Sequence, residues 1–384
     1  MTFNVNDFFC GCGGIGLGFK QAGFNVQWAV DFDKFAVKSY AHNVGDHVIQ
    51  KDVKELKGED VPIADVWAFG FPCTDLSTAG QRQGFQFRCN DCETEFSIIS
   101  EEDRFCPHCG MKNFTPITRS GMFFEIMRLL DEVSEENKPK ILLAENVKGL
   151  KKYIPIIKRE FKEHGYTAHI KLFNSKYWGV PQQREIYFIV GTKDNEKLDF
   201  DFPIENTEKE IPKLSFILNN KVEDKYYIDK EKANKIIEQA ILRLPELKDV
   251  HACITPGRLE KRQNGRRAKE NEKEMFTITA TDIHGIICKE TGLQNPNGIS
   301  KTLRAEDHGT MTKGRNVRHI LQEDYIVRKL TPTEYGRLQG FPMNEWEQVV
   351  SDSQAYKQFG NSVTVPLVKE IALKIKESLE EKGE

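Results

Sequence analysis

One cysteine occupies a position typical of a catalytic nucleophile. Cys73 follows the apolar run 66–69 and the tripeptide Gly-Phe-Pro, and Thr74 and Ser77 come soon after it. A cysteine at the end of a strand, with a rigid proline before it and small polar residues after it, is well placed for nucleophilic catalysis. Because most free cysteines are buried and inert, a structural role is the stronger interpretation of this residue taken alone.

A glycine-rich turn near the N-terminus has the spacing of a nucleotide-binding loop. Gly11, Gly13 and Gly16 separate an apolar run from a helical pattern, and missing side chains there let a cofactor approach the backbone. Asp31 follows the second predicted strand, where a carboxylate can bind ribose hydroxyls. Asp52 follows the third and suits a contact to an adenine amino group, although an isolated Asp52 is better explained as a helix N-cap. Together they predict a nucleoside cofactor, either NAD or S-adenosylmethionine.

A third predicted strand end carries an acid. Glu145 closes the apolar run 142–144, and partial burial there would favour its neutral form, so that it could act as an acid near neutral pH. Gly11, Cys73 and Glu145 each follow a predicted strand. Because the carboxyl ends of parallel strands form one edge of a doubly wound sheet, we expect the three to share that edge.

Four further cysteines predict a metal site. Cys89 and Cys92 form one Cys-x2-Cys knuckle, and Cys106 and Cys109 form a second, with 13 residues between the knuckles. This pattern is typical of a four-cysteine zinc ribbon, and unliganded thiols are the alternative. His108 is not needed as a ligand, since four thiolates complete the tetrahedron.

The elements that must position these residues alternate between strands and helices, which predicts an α/β fold with a largely parallel sheet. With 384 residues the chain is too long for one small core, so we expect two domains. Residues 195–328 form a smaller domain rich in strands and loops, and helical periodicity returns from residue 330. Predicted strands lie near 5–10, 26–30, 65–70, 140–145, 167–173 and 186–191, and predicted helices at 123–133, 154–164, 230–244 and 369–381.

The composition indicates the cellular compartment in which the protein acts. The sequence shows neither an apolar stretch long enough to cross a membrane nor a signal-peptide pattern, so we expect a cytoplasmic protein without membrane partners. In that compartment nine cysteines indicate thiols, metal ligands or catalysis and not disulfides.

Charge is unevenly distributed. The net charge is −3, yet residues 251–330 hold 15 Lys and Arg against 10 Asp and Glu. A locally basic segment can carry a phosphate-binding surface, and a solvated loop region is the alternative. Within it, 276–285 resembles 301–309, as two similar hairpins or as a pair of recognition loops.

These motifs, in this order, resemble those of the bacterial cytosine-C5 DNA methyltransferases over nearly the whole chain. A dehydrogenase would account for the glycine turn and nothing after it. The matching segments are the glycine turn, Asp31-Phe32, Asp52-Val53, Gly-Phe-Pro-Cys at 70–73, Glu145-Asn146-Val147, the segment 181–185, the segment 328–342 and the segment 354–363.

The resemblance implies a reaction and a set of site residues. Cys73 would add to C6 of a cytosine flipped out of DNA, Glu145 would stabilise or protonate N3, and Arg184 would hold the base. C5 would then take a methyl group from S-adenosylmethionine. The implied cofactor-binding residues are Phe9, Gly11, Gly13, Gly14, Asp31, Phe32, Asp52, Val53, Pro72, Asn361 and Ser362.

The resemblance also implies an organisation and partners. Residues 1–194 would be a Rossmann-like methyltransferase domain, 195–328 a target-recognition domain, and 329–384 a segment that returns to the first domain. Double-stranded DNA is the implied partner, with a restriction endonuclease acting on the same site as a further one, and a monomer is the simplest expectation. A tRNA cytosine methyltransferase and a catalytically silent DNA-binding relative are the alternatives. The long recognition segment argues against the first, and the intact Cys73, Glu145 and cofactor residues argue against the second.

Two departures from the family pattern stand out. Ile186 occupies a position where the family usually has an arginine, so that contact to the base is absent or replaced. The zinc-ribbon-like segment 86–118 interrupts the loop that in this family closes over the flipped base. We hypothesise that the ribbon extends the contact with DNA, and a brace for a long loop is the alternative.

Overall fold

The computed structural model of the chain describes residues 2–72, 84–242, 244, 246–260, 266–289 and 325–381. Two sequence predictions fall outside these residues. One is the position of Cys73, and the other is the second member of the near-repeat, 301–309.

A seven-stranded sheet forms the centre of the first domain. Its strands are β1 (Asn4–Phe8), β2 (Asn25–Asp31), β3 (Val48–Gln50), β4 (Val66–Gly70), β8 (Ile141–Val147), β9 (Tyr166–Asn174) and β10 (Glu185–Lys193). They are ordered β3-β2-β1-β4-β8-β10-β9. Neighbouring strands from β3 to β8 are parallel, and β10 is antiparallel to both β8 and β9. The predicted α/β fold with a largely parallel sheet is confirmed.

Helices cover both faces of this sheet. They are α1 (Gly14–Gln21), α2 (Lys34–Asn43), α3 (Met122–Glu132), α4 (Ile154–Glu163) and, far along the chain, α8 (Val365–Glu381). Successive residues of β4 point to opposite faces. Trp67 and Phe69 lie in the apolar layer shared with α3 and α4, and Val66 and Ala68 lie in the layer shared with α1 and α8. Burial on both faces explains why the strands read as continuous apolar runs.

A small sheet of three antiparallel strands is inserted between β4 and α3. It comprises β5 (Phe85–Cys89), β6 (Glu95–Ile98) and β7 (Phe114–Pro116), in the order β6-β5-β7. The carbonyl of Gln86 accepts from the N–H of Ile117 at 2.9 Å, so the segment leaves and re-enters the domain at one place. The insertion is therefore a closed unit, which we call the ribbon (residues 86–118).

A second sheet of four antiparallel strands lies in the predicted recognition segment. It is ordered β12-β11-β13-β14, with β11 (Val250–Cys253), β12 (Ala268–Asn271), β13 (Gly285–Lys289) and β14 (Tyr325–Lys329). The helix α5 (Lys230–Ile241) packs on it through Ile236 and Ile237. The predicted limits of the recognition domain, 195 and 328, stay predictions. Phe200 packs in the core of the first domain, and β14 extends across position 328.

The C-terminal segment completes the fold with α6 (Pro332–Leu338), α7 (Asp352–Asn361) and α8. Residues of α6 and α7 share an apolar cluster with β13 and with Cys10 and Cys12 of the glycine turn. The helices predicted near 123–133, 154–164, 230–244 and 369–381 are confirmed, with ends that differ by at most four residues. Within the described part of the chain, no helix is long and apolar enough to span a membrane.

Candidate active site and metal centre

Glu145 and the strand that leads to Cys73 meet at one strand pair. Gly70, the last residue of β4, is paired with Glu145 of β8. A Cβ atom on Gly70 would lie 3.2 Å from Glu145 Oε2, so the carboxyl group rests directly on that glycine. Gly70 is three residues before Cys73, and Pro72 is half-buried and is the last described residue before it. The parallel register thus places the acid beside the strand end that leads into Cys73.

Burial sets the protonation of this acid. The Glu145 side chain is buried, and loss of solvation raises its pKa from 4.5 to about 7, while the positive charge of Arg184 acts in the opposite direction. A carboxyl group with this pKa is about half protonated at neutral pH. It can therefore either donate or accept a proton there, as acid–base catalysis requires.

The neighbouring Asn146 fixes the two strand ends to each other. Its amide Nδ2 donates to the carbonyl of Phe71 at 2.9 Å, and its Oδ1 accepts from the N–H of Val147 at 2.9 Å. Sequence reasoning assigned no role to Asn146. The contact depends on the pairing of β4 with β8, which no local pattern reveals.

Arg184 joins three distant parts of the chain. Its buried Nη1 donates to the carbonyl of Ile278 at 3.1 Å and to the carbonyl of Gly360 at 3.0 Å. Its charge also bears on the Glu145 carboxyl group. The structure thus brings Arg184 and Glu145 together, where the first domain meets the segment between β12 and β13 and the end of α7.

Ile186 is part of the core. It is fully buried in β10, opposite Val147 of β8 and in the same apolar layer as Phe188. This agrees with the interpretation that it simply continues the strand. A charged side chain at this position would enter an apolar layer.

The glycine turn is held by two carboxylates. Gly11 and Gly13 have φ values of +55° and +98°, in the left-handed region that glycine adopts most readily. Asp31 accepts from the N–H of Gly11 at 2.9 Å and, through its other oxygen, from the N–H of Asp33 at 2.8 Å. Asp7 accepts from the N–H of Gly16 at 3.0 Å. Burial raises the pKa of both carboxyl groups, Asp7 and Asp31.

The remaining predicted cofactor residues line the ends of β1, β2 and β3. Phe9 is half-buried with φ +52°, and Phe32 is 62% exposed directly after Asp31. Asp52 caps a short 3-10 turn by accepting from the N–H of Lys54 at 3.0 Å, and Val53 is buried. The N-cap interpretation of Asp52 is therefore seen, and it leaves one carboxylate oxygen for a ligand.

The C-terminal segment returns to this edge. Ser362 lies against the glycine turn, because a Cβ on Gly14 would come within 2.3 Å of its Oγ. Asn361, the last residue of α7, is exposed. Lys357 of α7 pairs with Asp33 at 2.6 Å, which holds the helix over the end of β2. Residues more than 300 positions apart in sequence thus meet at one strand edge.

The turn fits a nucleoside ligand. A Cβ on Gly11 would meet no atom within 4 Å, so space remains above the backbone there. Among the described residues, Asp7 Oδ1 is buried without a hydrogen-bond partner. An open glycine turn, a carboxylate at the end of the next strand and an exposed aromatic ring are the donor set that a ribose and an adenine ring require.

The four ribbon cysteines converge. Their Sγ atoms all lie within 4.8 Å of one another. Cys89 Sγ lies 3.4 Å from Cys109 Sγ, and Cys92 Sγ lies 3.5 Å from Cys106 Sγ. With Zn–S bonds of about 2.3 Å, the edge of a tetrahedron is about 3.8 Å. The predicted cluster is therefore assembled, and its donor set fits zinc.

Comparison with known proteins gives matches along nearly the whole chain. The model of the family described as C-5 cytosine-specific DNA methylase matches residues 3–102 and 108–377. The chain is 29% identical to the orphan methyltransferase M.SPBetaI of Bacillus phage SPbeta, over 93% of this chain and 92% of that protein. It is 31% identical to the Type II methyltransferase M1.ScrFI of Lactococcus lactis subsp. cremoris, over 98% of this chain and 79% of that protein.

Solved structures share the fold. A putative DNA modification methyltransferase encoded within an E. coli prophage superposes with a TM-score of 0.60 at 20% identity, covering 99% of this chain and 100% of that one. The S. pombe Dnmt2 methyltransferase gives a TM-score of 0.60 at 16% identity, covering 99% of each chain. These likenesses concern the fold alone.

Proposed function

The chain belongs to the C-5 cytosine-specific DNA methylase family, and we propose that it methylates C5 of a flipped cytosine through a covalent adduct between Cys73 and C6. That it is a DNA cytosine-5 methyltransferase follows from the family and from its Type II methyltransferase relatives. The observation that carries the proposed mechanism is the buried Glu145 carboxyl group. It rests on Gly70, three residues before Cys73, with a pKa of about 7.

Cytosine C5 is a poor nucleophile, so the ring must first be activated. The Cys73 thiolate adds to C6, and the ring electrons move towards N3. A free cysteine has a pKa of about 8.5 and is mostly thiol at neutral pH, so the site has to favour the thiolate. Glu145 carries the proton that N3 needs as negative charge accumulates there.

The methyl donor supplies an electrophilic methyl group to the activated C5. The residues that would hold it are Phe9, Gly11, Gly13, Gly14, Asp31, Phe32, Asp52, Val53, Pro72, Asn361 and Ser362. The Asp31 carboxylate accepts hydrogen bonds from the main-chain N–H groups of Gly11 and Asp33, and these bonds hold it in position for the ribose. After methylation, removal of the C5 proton and elimination of the Cys73 thiolate restore the aromatic ring and release the product.

The base has to leave the helix before Cys73 can reach C6, at a cost of a few kcal/mol. Arg184 would hold the extruded cytosine. Its hydrogen bonds to the carbonyls of Ile278 and Gly360, which fix the guanidinium group in advance, support this role. Residues 195–328 would read the sequence, with the basic excess of 251–330 contacting phosphates. We further propose a monomer that acts in the cytoplasm, beside a restriction endonuclease for the same site.

A transfer assay tests the reaction. The full chain is incubated with labelled S-adenosylmethionine and either double-stranded DNA or tRNA, with Cys73→Ala as the matched variant. Label is expected in DNA with the wild type only. Label in tRNA alone would favour the tRNA-modifying alternative, label in neither would favour a silent DNA-binding relative, and label in DNA that persists in Cys73→Ala would exclude the proposed nucleophile. Bisulfite sequencing of DNA from expressing cells would then give the recognition sequence.

A further inference from the structure

The ribbon is too acidic to be a phosphate-binding element. Residues 86–118 contain six Asp and Glu against three Lys and Arg, and four zinc-bound thiolates would add further negative charge. Two of the three cations are already paired, Arg88 with Glu95 and Arg104 with Glu163. The third, Lys112, lies over the ring of Phe105. Since contacts to the DNA backbone depend on free cations, the charge of the ribbon argues against our sequence-based hypothesis that it extends the DNA footprint.

The ribbon is instead built into the core of the first domain. Its first strand, β5, places two fully buried rings in the same aromatic cluster as α3. Phe85 packs edge-to-face on Phe124 with ring centres 5.2 Å apart and lies 4.9 Å from Tyr153, and Phe87 packs on Phe124 at 4.9 Å. Aromatic contacts of this kind add to the burial energy of the rings. The strand that carries the first thiol is therefore also part of the domain core.

Polar contacts attach the far side of the ribbon to α4. Arg159 is buried, and its Nη1 donates to the carbonyl of Glu101 at 2.7 Å and to the carbonyl of Asp103 at 3.1 Å. The guanidinium also binds the carboxylate of Glu160, the next residue of α4. These two carbonyls belong to the segment between the two cysteine knuckles. Arg159 therefore attaches that segment to α4.

The ribbon also fixes the residue at which the chain enters it. The carbonyl of Gly84 accepts from Thr118 Oγ1 at 2.8 Å and from Ser120 Oγ at 2.6 Å. Gly84 has φ +67°, and a Cβ there would come within 2.1 Å of the Tyr153 hydroxyl. Both ends of the insertion are thus held at one point, five residues from the first thiol, Cys89.

The knuckles themselves need a ligand to hold this shape. The turn after Cys106 closes with the N–H of Gly110 donating to the Cys106 carbonyl at 2.9 Å, and Gly110 has φ +74°. In the other knuckle the N–H of Glu93 donates to the Cys89 carbonyl at 3.0 Å. The two knuckles lie on different turns. Asn90 of the first knuckle is hydrogen-bonded to Asn113, which follows the second, and the four thiols bring the two turns together at a single point.

We propose that Cys89, Cys92, Cys106 and Cys109 hold a structural zinc ion that braces the first domain, and that the ribbon does not bind DNA. The metal joins the two knuckles, the knuckles hold β5 and the segment 101–103, and these in turn fix Gly84 and the aromatic cluster beneath α3. A closed tetrahedral site of four thiolates has no open position for catalysis, which agrees with a structural role.

Metal content gives the first test, on the full-length protein. Wild type should contain one zinc per chain by mass spectrometry of the metal, and the double variant Cys106→Ser, Cys109→Ser should contain none. His108→Ala is the matched control in the same knuckle and should keep the zinc. Cys73→Ala should also keep it, which separates this proposal from the proposed reaction. A wild-type protein purified without any metal would overturn the assignment.

Stability and DNA affinity give the second test. Removing zinc from the wild type with a chelator should lower Tm by roughly 5 °C or more, and DNA affinity measured well below the new Tm should be unchanged. Chelation of the wild type keeps this test available if the serine variant does not fold. Lys112→Glu should leave both the affinity and its salt dependence unchanged. An unchanged Tm after zinc loss would rule out the brace, and a salt slope reduced by about one in Lys112→Glu would identify a phosphate contact.

Discussion

The strand edge that carries Glu145 and Arg184 (the edge) and the ribbon both hold polar side chains close together, but over very different lengths of chain. The four ribbon thiols lie within 21 residues of sequence, on two short turns. At the edge, Glu145 meets Gly70 through strand pairing, and Arg184 is held by carbonyls of residues 278 and 360. Because closing a longer loop costs more chain entropy, the edge needs distant segments of the chain to be folded together. The ribbon needs far less of the chain, and we propose that a zinc ion on its four thiols holds it.

This difference predicts which property of the protein a mutation in each region should change. A change at the edge should alter turnover and leave the ribbon and its metal intact. A change at the ribbon should lower the stability of the first domain and leave the chemistry of the folded enzyme intact.

The largest effect belongs to Glu145→Gln. The amide has nearly the same shape but cannot take up or release the proton that N3 requires, so kcat should fall roughly 10²- to 10⁴-fold. DNA affinity and zinc content should remain those of the wild type. A single-turnover transfer assay measures the loss, and a rate within a few fold of wild type would remove Glu145 from the mechanism.

A smaller loss is expected for Gly70→Ala. The added Cβ would lie 3.2 Å from Glu145 Oε2 and 3.5 Å from Ile15 Cδ1, so the carboxyl group has to move by a few tenths of an ångström. Misplacement on this scale should lower kcat about tenfold. Gly257→Ala is the matched control, since its Cβ meets only the flexible end of Lys329 at 3.3 Å. If both variants turn over equally, the contact between Gly70 and Glu145 does not matter for the reaction.

The buried acid also makes stability depend on pH. Its pKa is about 7 in the folded protein and 4.5 ordinarily, so the fold favours the protonated form. The resulting stabilisation is complete below pH 4.5 and is lost as pH rises through 7. A tenfold change in proton affinity corresponds to about 1.4 kcal/mol, so up to about 3 kcal/mol is at stake.

Urea denaturation of wild type and Glu145→Gln at pH 5 and pH 8 isolates this term. The variant has no titrating group at 145, so its stability relative to the wild type should be greater at pH 8 than at pH 5. Equal differences at the two pH values would show that the carboxyl group is not buried in a way that resists ionisation.

The smallest effect on the chemistry belongs to the ribbon. The charge that acts on the pKa of Glu145 is that of Arg184, which lies outside the ribbon. Zinc-free protein assayed below its Tm should therefore show the same pH midpoint for turnover as the wild type. A shifted midpoint would mean that the ribbon influences the pKa of Glu145, and it would contradict the independence of the two regions.

Local patterns in the sequence were enough to predict the elements and the metal cluster. The glycine turn, the alternating apolar runs and the two knuckles each depend on residues close together in sequence, and the structure confirms the fold and assembles the four thiols. The N-cap alternative for Asp52 is equally local and is seen in the structure, whereas its predicted contact with the cofactor stays a prediction.

Contacts between distant segments could not be predicted in this way. Strand order decides which residues of β4 and β8 are paired, and so it sets Glu145 on Gly70 and allows the hydrogen bond from the Asn146 amide to the Phe71 carbonyl. The bond from Arg184 to the Gly360 carbonyl depends on the return of α7. The role of the ribbon depends on such contacts too. Its position in the loop after Cys73 favours the DNA hypothesis, whereas its charge and its packing on α3 and α4 support the brace that we propose.

The covalent step is tested most directly by trapping the adduct. In DNA carrying 5-fluorocytosine at the methylated position, C5 has no proton to lose, so the Cys73 thiolate cannot be eliminated after methylation. Wild type with S-adenosylmethionine should give a protein–DNA complex that survives denaturing electrophoresis, with peptide mapping placing the link at Cys73. Cys73→Ala should give none. A stable complex formed by Cys73→Ala, or a link at another residue, would contradict the account.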